Sequence, residues 1–446
     1  MPLLDSRVAV ARSKGCCVQK VGIALMGCGT VGSAVAHHLI EHADSIAQRV
    51  GRPIELRHLL IRELQKPRAG AIPKNLFTTT PQPLWEDPQV QVIIELMGGV
   101  EPAFTYIQSC LQAGKDVITA NKALLARHGE ALFSLARQHH RVICFEAAVA
   151  GGIPLIRALT QGLAANRIQS IKAILNGTSN FILSEMTENQ WSYAQALQAA
   201  QAHGFAEADP ALDVNGTDAA QKLSILARLA FNALIHDEDI EWRGIAGIDQ
   251  SDLQFAGEMD CVIKLLAEAW LSEGRLALHV EPTLIRRHEP LAEVRGPYNA
   301  AEIVGDIVGH TFFYGLGAGA QPTASAVLSD LIDLVHGSAA QHFLHAEWNR
   351  PAERLPRCSP HEIQSRFYLR LNVLEKTGVL AEVDGILAKH GIGIASVVQH
   401  EEREHARVPL VIMTHNAILG AFRLAVRELQ DLPCVADPPI YYPIAE

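Results

Sequence analysis

Apolar positions along the chain recur with two alternating periods. From Val21 to Leu25 a short apolar run meets Gly27-Cys28-Gly29-Thr30-Val31-Gly32, and apolar residues then recur at helical spacing to Ile46. That order reads as strand, tight turn and helix. Further strands are expected near 54–61, 90–96, 117–120 and 142–145, with helices over 102–113 and 123–139. Strands alternating with helices imply a parallel sheet covered on both faces, so residues 21–150 read as an α/β, Rossmann-like, doubly wound domain. The pattern over 151–340 is mixed. Helices at 191–203 and 217–230 stand among strand-like pieces at 168–175 and 276–280, which fits an α+β domain. A polar stretch with Pro351, Pro356 and Pro360 makes 341–365 a linker. Residues 366–446 give strand, helix, strand, strand, helix, strand, with the last strand near Ile440. This βαββαβ order predicts a separate, ferredoxin-like module.

Composition narrows the class. At ~150 residues per domain, 446 residues make about three domains, each able to bury its own core. With 48% apolar and 19% charged residues the chain reads as an ordinary globular protein, which excludes a disulfide-stapled scaffold. Lys plus Arg number 38 against 48 Asp plus Glu, and the net charge of −10 gives no support to nucleic-acid binding. The stretch 307–329 carries no formal charge. It holds Gly309, Gly315, Gly317, Gly319, Gln321 and Pro322, so it reads as loop and buried helix and no membrane span is expected. Residues 1–20 contain Arg7, Arg12, Lys14 and Lys20 without an apolar block before a cleavage site, and read as a tail. Eight cysteines without C-x-x-C or zinc spacing point to reduced thiols in a cytoplasm, and 20 scattered histidines show no ligand spacing.

Gly27, Gly29 and Gly32 form G-x-G-x-x-G between a strand and a helix. The first suits a tight turn, the second lets backbone approach a pyrophosphate, and the third permits close packing, while the helix N-terminus supplies amide donors. A nicotinamide dinucleotide is therefore expected here, with Thr30 and Val31 beside it. The second strand runs into Arg62 and Glu63. Glu63 keeps NAD open, whereas Arg62, with Lys66 and Arg68 near, favours the 2′-phosphate of NADP; a solvated basic loop is the plain alternative. Ligands gather at the carboxyl ends of parallel strands. Gly27 to Gly32 follow the strand at 21–25, Met97-Gly98-Gly99 the strand at 90–96, Asn121-Lys122 the strand at 117–120 and Glu146 the strand at 142–145. The densest polar cluster holds Glu207, Asp209 and Asp213, followed by a helix with Asp218 and Lys222 at i and i+4. A surface ion pair is the plain reading of that spacing. Flanking Leu223 and Leu226 turn the helix toward a core, and a lysine among carboxylates at a cofactor cleft suits acid/base work.

Several strings together resemble homoserine dehydrogenase from about Val21 to Val335. They are Gly27 to Gly32, Glu95-Leu96-Met97-Gly98-Gly99-Val100-Glu101-Pro102, Thr119-Ala120-Asn121-Lys122-Ala123-Leu124, Glu146 to Pro154, Asn176-Gly177-Thr178-Ser179-Asn180, Ala206 to Pro210 and Asp218 to Leu223. The resemblance implies NAD(P)-linked interconversion of L-homoserine and L-aspartate 4-semialdehyde in threonine, methionine and isoleucine biosynthesis. It implies Lys222 as proton donor and base, Lys122 at the nicotinamide and reacting oxygen, Glu207 and Asp218 on the substrate with Asp213 in support, and Gly204 and Gly319 lining the cofactor. It also implies a monovalent cation, sodium, held by the Glu146 side chain and the carbonyls of Val149, Gly151 and Ile153. A tight packing loop is the alternative for that segment. The 366–446 module resembles an ACT domain, which implies L-threonine as effector near Gly378-Val379-Leu380-Ala381, although Glu375-Lys376-Thr377-Gly378 departs from the usual Asp-Lys-Pro-Gly. A homodimer or homotetramer is expected through the second domain. The competing reading is a non-catalytic sensor of NADP and an amino acid, which would predict loss of Lys222 or Lys122; both are present.

Overall fold

A computed structural model describes residues 20–66, 72–349, 355–399 and 407–445. The 1–20 tail therefore lies outside the described residues except for Lys20, as do Arg68, Cys16, Cys17, Pro351 and His400.

Six parallel strands form the first sheet: β1 Val21–Met26, β2 Ile54–Leu60, β3 Phe77–Thr78, β4 Val90–Glu95, β5 Asp116–Thr119 and β6 Ile143–Cys144. Their order is β3-β2-β1-β4-β5-β6, that of a doubly wound dinucleotide fold. Every residue of β1 is buried, as a strand covered on both faces requires.

Among the described residues the second sheet has eleven strands. They are β7 Ile168–Ile174, β8 Glu241–Trp242, β9 Cys261–Ser272, β10 Arg275–Arg286, β11 Tyr298–Gly305, β12 Gly309–Leu316, β13 Gln364–Leu374, β14 Ile394–Gln399, β15 Arg407–Thr414, β16 Ala417–Ile418 and β17 Ile440–Ile444. The main path runs β12-β11-β7-β9-β10-β17-β13-β15-β14, with β8 on β10 and β16 on β13. The C-terminal strands β17-β13-β15-β14 are antiparallel in the 4-1-3-2 order of the expected βαββαβ unit.

Three expectations change. First, the C-terminal unit has its own core, around Leu369, Val383 and Phe422, but it does not stand free: β17 joins β10 at Leu284 and Ile444, so one sheet runs through both units. The Asp252 carboxylate, fully buried, accepts hydrogen bonds from Tyr368 Oη at 2.8 Å, Arg370 Nε at 2.6 Å and Arg370 Nη2 at 3.0 Å. Second, the expected 341–365 linker is partly structured. The helix Ser338–His345 leads to Trp348, whose ring meets Phe133, Phe145 and Phe343, so aromatic burial holds this stretch against the first unit. Third, 307–329 contains the strand β12, not only loop and helix; its alternating exposure is that of an edge strand. The helix after it, Ala320–His336, places Ala324, Val327 and Leu331 in the same core as Ile23, Leu25 and Val35, so residues assigned to the second domain complete the cover of the first sheet. Among the described residues no helix is long and apolar enough to cross a membrane.

Candidate active site

The glycine turn follows β1 as the motif requires. Gly27 adopts φ +96° and its N–H donates to Leu60 O at 3.0 Å; a Cβ there would press on Leu96 O. A Cβ on Gly32 would overlap Gly27 O, whereas one on Gly29 would meet nothing within 4 Å. Close packing thus explains the first and third glycines, and an open approach the second. Thr30 begins the helix Thr30–Glu41 behind this turn, with Val31 and Gly32 in its first turn. Arg62 is exposed just past the end of β2.

Next to that turn, Glu95 ends β4 fully buried. Its Oε1 accepts from Met97 N–H at 2.8 Å and Gly98 N–H at 3.3 Å, and its Oε2 from Thr119 Oγ1 at 2.7 Å. Burial raises the pKa of this carboxyl, while those donors pull the other way. Asn121 caps the helix Lys122–Gln138 by accepting from Leu124 N–H and binds Gly99 O through Nδ2 at 2.6 Å. These bonds lock the base of Lys122, the first helical residue.

Lys122 reaches across to the second domain. Its Nζ lies 2.9 Å from Asp218 Oδ1, and Lys222 Nζ lies 2.8 Å from Asp218 Oδ2. One carboxylate therefore bridges two ammonium groups, one from each domain. Lys222 is 8% and Asp218 5% exposed, so the surface ion-pair reading of their i, i+4 spacing fails. Lys222 Nζ also donates to Leu175 O at 2.7 Å, just past β7. Burial would raise the Asp218 carboxyl, but Lys222 and then Lys122 hold it below the usual carboxylate range. Asp218 correspondingly keeps the Lys122 ammonium charged above its ordinary range. Asp213 sits in the same cluster, its carboxyl pushed up by burial and by Asp218.

Asn176 organises these carboxylates. Its Nδ2 is 2.8 Å from both Asp213 Oδ1 and Asp218 Oδ2, while its Oδ1 caps the helix Gly177–Glu188 through Ser179 N–H. Thr178 Oγ1 donates to Phe205 O at 2.6 Å and faces Asp213 Oδ2 at 3.3 Å. Asn before Gly-Thr-Ser is a helix-cap signal legible in the residues, but the second partner set of Asn176 depends on the fold. Leu175 O left no signal, since every residue has a carbonyl.

Other expected site residues stand apart from this contact set. Glu207 is exposed, yet its charge helps keep Lys122 protonated, which puts it near the cluster. Gly204 is exposed with φ +74°. Gly319, φ +116°, starts the Ala320–His336 helix, where Gln321 Oε1 lies 2.7 Å from His38 Nε2. Glu146 is buried and accepts from the N–H groups of Ile156 and Arg157, both at 2.9 Å. Burial pushes its carboxyl up to about 7, and does the same to its neighbour Asp330. The adjoining loop turns through Ala150, φ +53°, and Gly151, φ +43°, with Val149 and Ile153 buried on either side. A cavity of about 480 Å³ opens between β9, β10 and β17 and contains none of these residues.

Comparison with known proteins places the chain in a family. The family model "Homoserine dehydrogenase" matches residues 154–332, and "Homoserine dehydrogenase, NAD binding domain" matches 27–146. The homoserine dehydrogenase of Bacillus subtilis is 36% identical over 94% of this chain and 97% of its own. A crystal structure of a homoserine dehydrogenase from Thiobacillus denitrificans is 37% identical and superposes with a TM-score of 0.89 over 96% of this chain and 98% of the other. A hyperthermophilic archaeal homoserine dehydrogenase solved in complex with NADPH is 27% identical, with a TM-score of 0.59 over 70% of this chain and 97% of its own. The dinucleotide turn, the two-lysine carboxylate and these full-length relatives agree: the chain belongs to the homoserine dehydrogenase family, NAD(P)-binding oxidoreductases of aspartate-family amino-acid biosynthesis.

Proposed function

We propose that the chain interconverts L-homoserine and L-aspartate 4-semialdehyde at the Lys122, Asp218 and Lys222 cluster. The observation that carries this assignment is the single buried carboxylate shared by two lysines from different domains. The nicotinamide ring, when bound, takes or gives the hydride at C4 of the substrate. Lys222, aimed by Asp218 and by Leu175 O, gives a proton to the nascent alkoxide in reduction and takes it back in oxidation. Lys122 steadies the reacting oxygen and the nicotinamide. Glu207 and Asp218 hold the substrate ammonium, with Asp213 behind them.

Gly27, Gly29, Thr30, Val31, Gly32, Lys122, Gly204 and Gly319 bind the cofactor in this reading, and Arg62 selects NADP over NAD. The exposed Arg62 at the carboxyl end of β2 and the NADPH carried by the archaeal relative support that preference. Absorbance at the reduced-nicotinamide band with L-homoserine is the test. Wild-type protein should reduce NADP faster than NAD, and Lys222→Ala should lower turnover about 10²- to 10⁴-fold while still binding cofactor. Near-normal turnover in that variant would remove the acid/base assignment.

A sodium ion suits the Glu146 side chain and the carbonyls of Val149, Gly151 and Ile153, an all-oxygen set for a hard cation. Among the described residues no group of three His, Cys, Asp or Glu side chains could hold a metal, so carbonyls must contribute. Three carboxylates, Glu146, Asp330 and Asp333, face the Arg157 guanidinium, which fits an added positive charge. Melting temperature in sodium chloride should exceed that in choline chloride, and Glu146→Gln should erase the difference.

The C-terminal unit acts in this reading as an ACT domain that binds L-threonine near Gly378, whose φ of +95° opens the turn into the Val379–Lys389 helix. Subunits pair through the second sheet as a homodimer or homotetramer, where β12 exposes Phe312, Tyr314 and Leu316. A cytoplasmic setting suits the six described cysteines, all unpaired.

A further inference from the structure

Asn299 on β11 is 1% exposed, and neither its Oδ1 nor its Nδ2 has a hydrogen-bond partner among the described residues. An amide buried without partners destabilises the fold, so its retention calls for a use. Its surroundings supply one. The amide occupies the space beside Gly317 that a Cβ there would overlap, and its Oδ1 would lie 3.4 Å from a Cβ on Gly177. Gly177 directly follows Asn176, the residue that orients Asp213 and Asp218. Gly317 precedes Gly319 and backs onto the 146–153 loop, where Gly152 N–H donates to Leu316 O at 3.0 Å and a Cβ on Gly151 would press on Gly317 O. Asn299 thus stands between the capped helix start that arranges the carboxylates and the loop that leads to Gly319, with no side chain on either glycine to intervene.

We propose that Asn299 is a positioning residue for hydride transfer. Its amide, with donors on Nδ2 and an acceptor at Oδ1, complements the peptide groups of the 176–178 helix start and the 317–319 loop and bonds them when substrate and cofactor are bound. The spacing between the substrate side and the nicotinamide side of the site is then set by one amide. This rests on the site assignment of the preceding section.

The test is Asn299→Leu, which keeps the volume and removes the polar atoms, beside Asn299→Asp, which keeps the shape and an acceptor but loses the donor. Three quantities are read: the melting temperature without ligands, kcat and KM for homoserine, and the primary isotope effect on kcat with homoserine deuterated at C4. The expected result for Asn299→Leu is an unchanged or higher melting temperature, a kcat lowered about 100-fold, as a misplacement of about 1 Å costs, and a larger isotope effect because the hydride step becomes limiting. Asn299→Asp, which also serves if the leucine variant does not fold, should show the same isotope effect with a smaller loss of kcat. A lowered melting temperature with wild-type kcat and isotope effect in either folded variant would reduce Asn299 to a structural residue and overturn the proposal. If wild-type protein fails to oxidise homoserine, the site assignment itself falls. The proposal is then judged by titrating NADPH against fluorescence in wild type and variants, where equal affinity and equal thermal stabilisation by NADPH would overturn it.

Discussion

Asp218 carries more of the site than any other single side chain, because both of its oxygens hold a lysine ammonium and one also accepts from Asn176. Asp218→Asn should therefore lower kcat by at least the roughly 10²-fold attributed to one acid/base group, since Lys222 loses its orientation together with its counter-charge. Stopped-flow turnover with both homoserine and semialdehyde would show it in each direction. Wild-type kcat in a folded variant would remove Asp218 from the machinery. Arg62 offers a second test at this scale. Arg62→Ala should weaken NADP more than NAD, as fluorescence titration would measure, and equal weakening would dismiss the 2′-phosphate reading.

At the scale of elements, Asp87 ties the turn before β4 to β2 and to the start of β5. Its Oδ2 lies 2.8 Å from Arg57 Nε and 2.9 Å from His58 Nε2, and its backbone carbonyl accepts from Lys115 Nζ at 2.8 Å. Burial alone would raise the Asp87 carboxyl; the bonds from Arg57, Gln89 N–H and His58 overcome that and bring it down to about 2. A depressed carboxyl stabilises the fold above its unfolded value of 3.8, and that contribution disappears as pH falls toward 2. Asp87→Asn should thus cost about 2 kcal/mol at pH 7 and almost nothing near pH 2. Urea melts at the two pH values would measure this, and a pH-independent difference would exclude the charge as its cause. The glycine turn belongs to the same scale, since its strand, loop and helix could be read from adjacent residues.

For the whole molecule, the continuous sheet through β10 and β17 changes what removal of the C-terminal unit should do. An independent module would leave the catalytic domains intact. Here its removal strips the partner from the edge of β10 and uncovers the apolar surface under Tyr442 and Ile444, both in the main core. A chain ending at residue 349 should melt at least several degrees lower and lose part of its activity, beyond any loss of the proposed L-threonine response. Full activity and an unchanged melting temperature would mean that the junction contributes little. Within the junction, Asp252→Ala leaves the buried Arg370 without its carboxylate and should cost roughly 3–5 kcal/mol, because the remaining charge stays desolvated. Replacing both residues by leucine should recover much of that loss in calorimetry.

Local order and chemistry were legible in the residues alone. Alternating apolar runs, the spacing of Gly27, Gly29 and Gly32 and the βαββαβ succession depend on neighbours within one element or the next, and the observed strands follow them closely. The polar strings also carried the candidate residues, because proton transfer and anion binding demand particular groups. Long-range pairing was not legible. Nothing in sequence spacing tells that Lys122 crosses to Asp218, that β17 completes the edge of β10, or that the Ala320–His336 helix returns to cover the first sheet. Those contacts join segments about a hundred residues or more apart, and which of many compatible apolar faces and strand edges meet is settled only when all of them compete for one core.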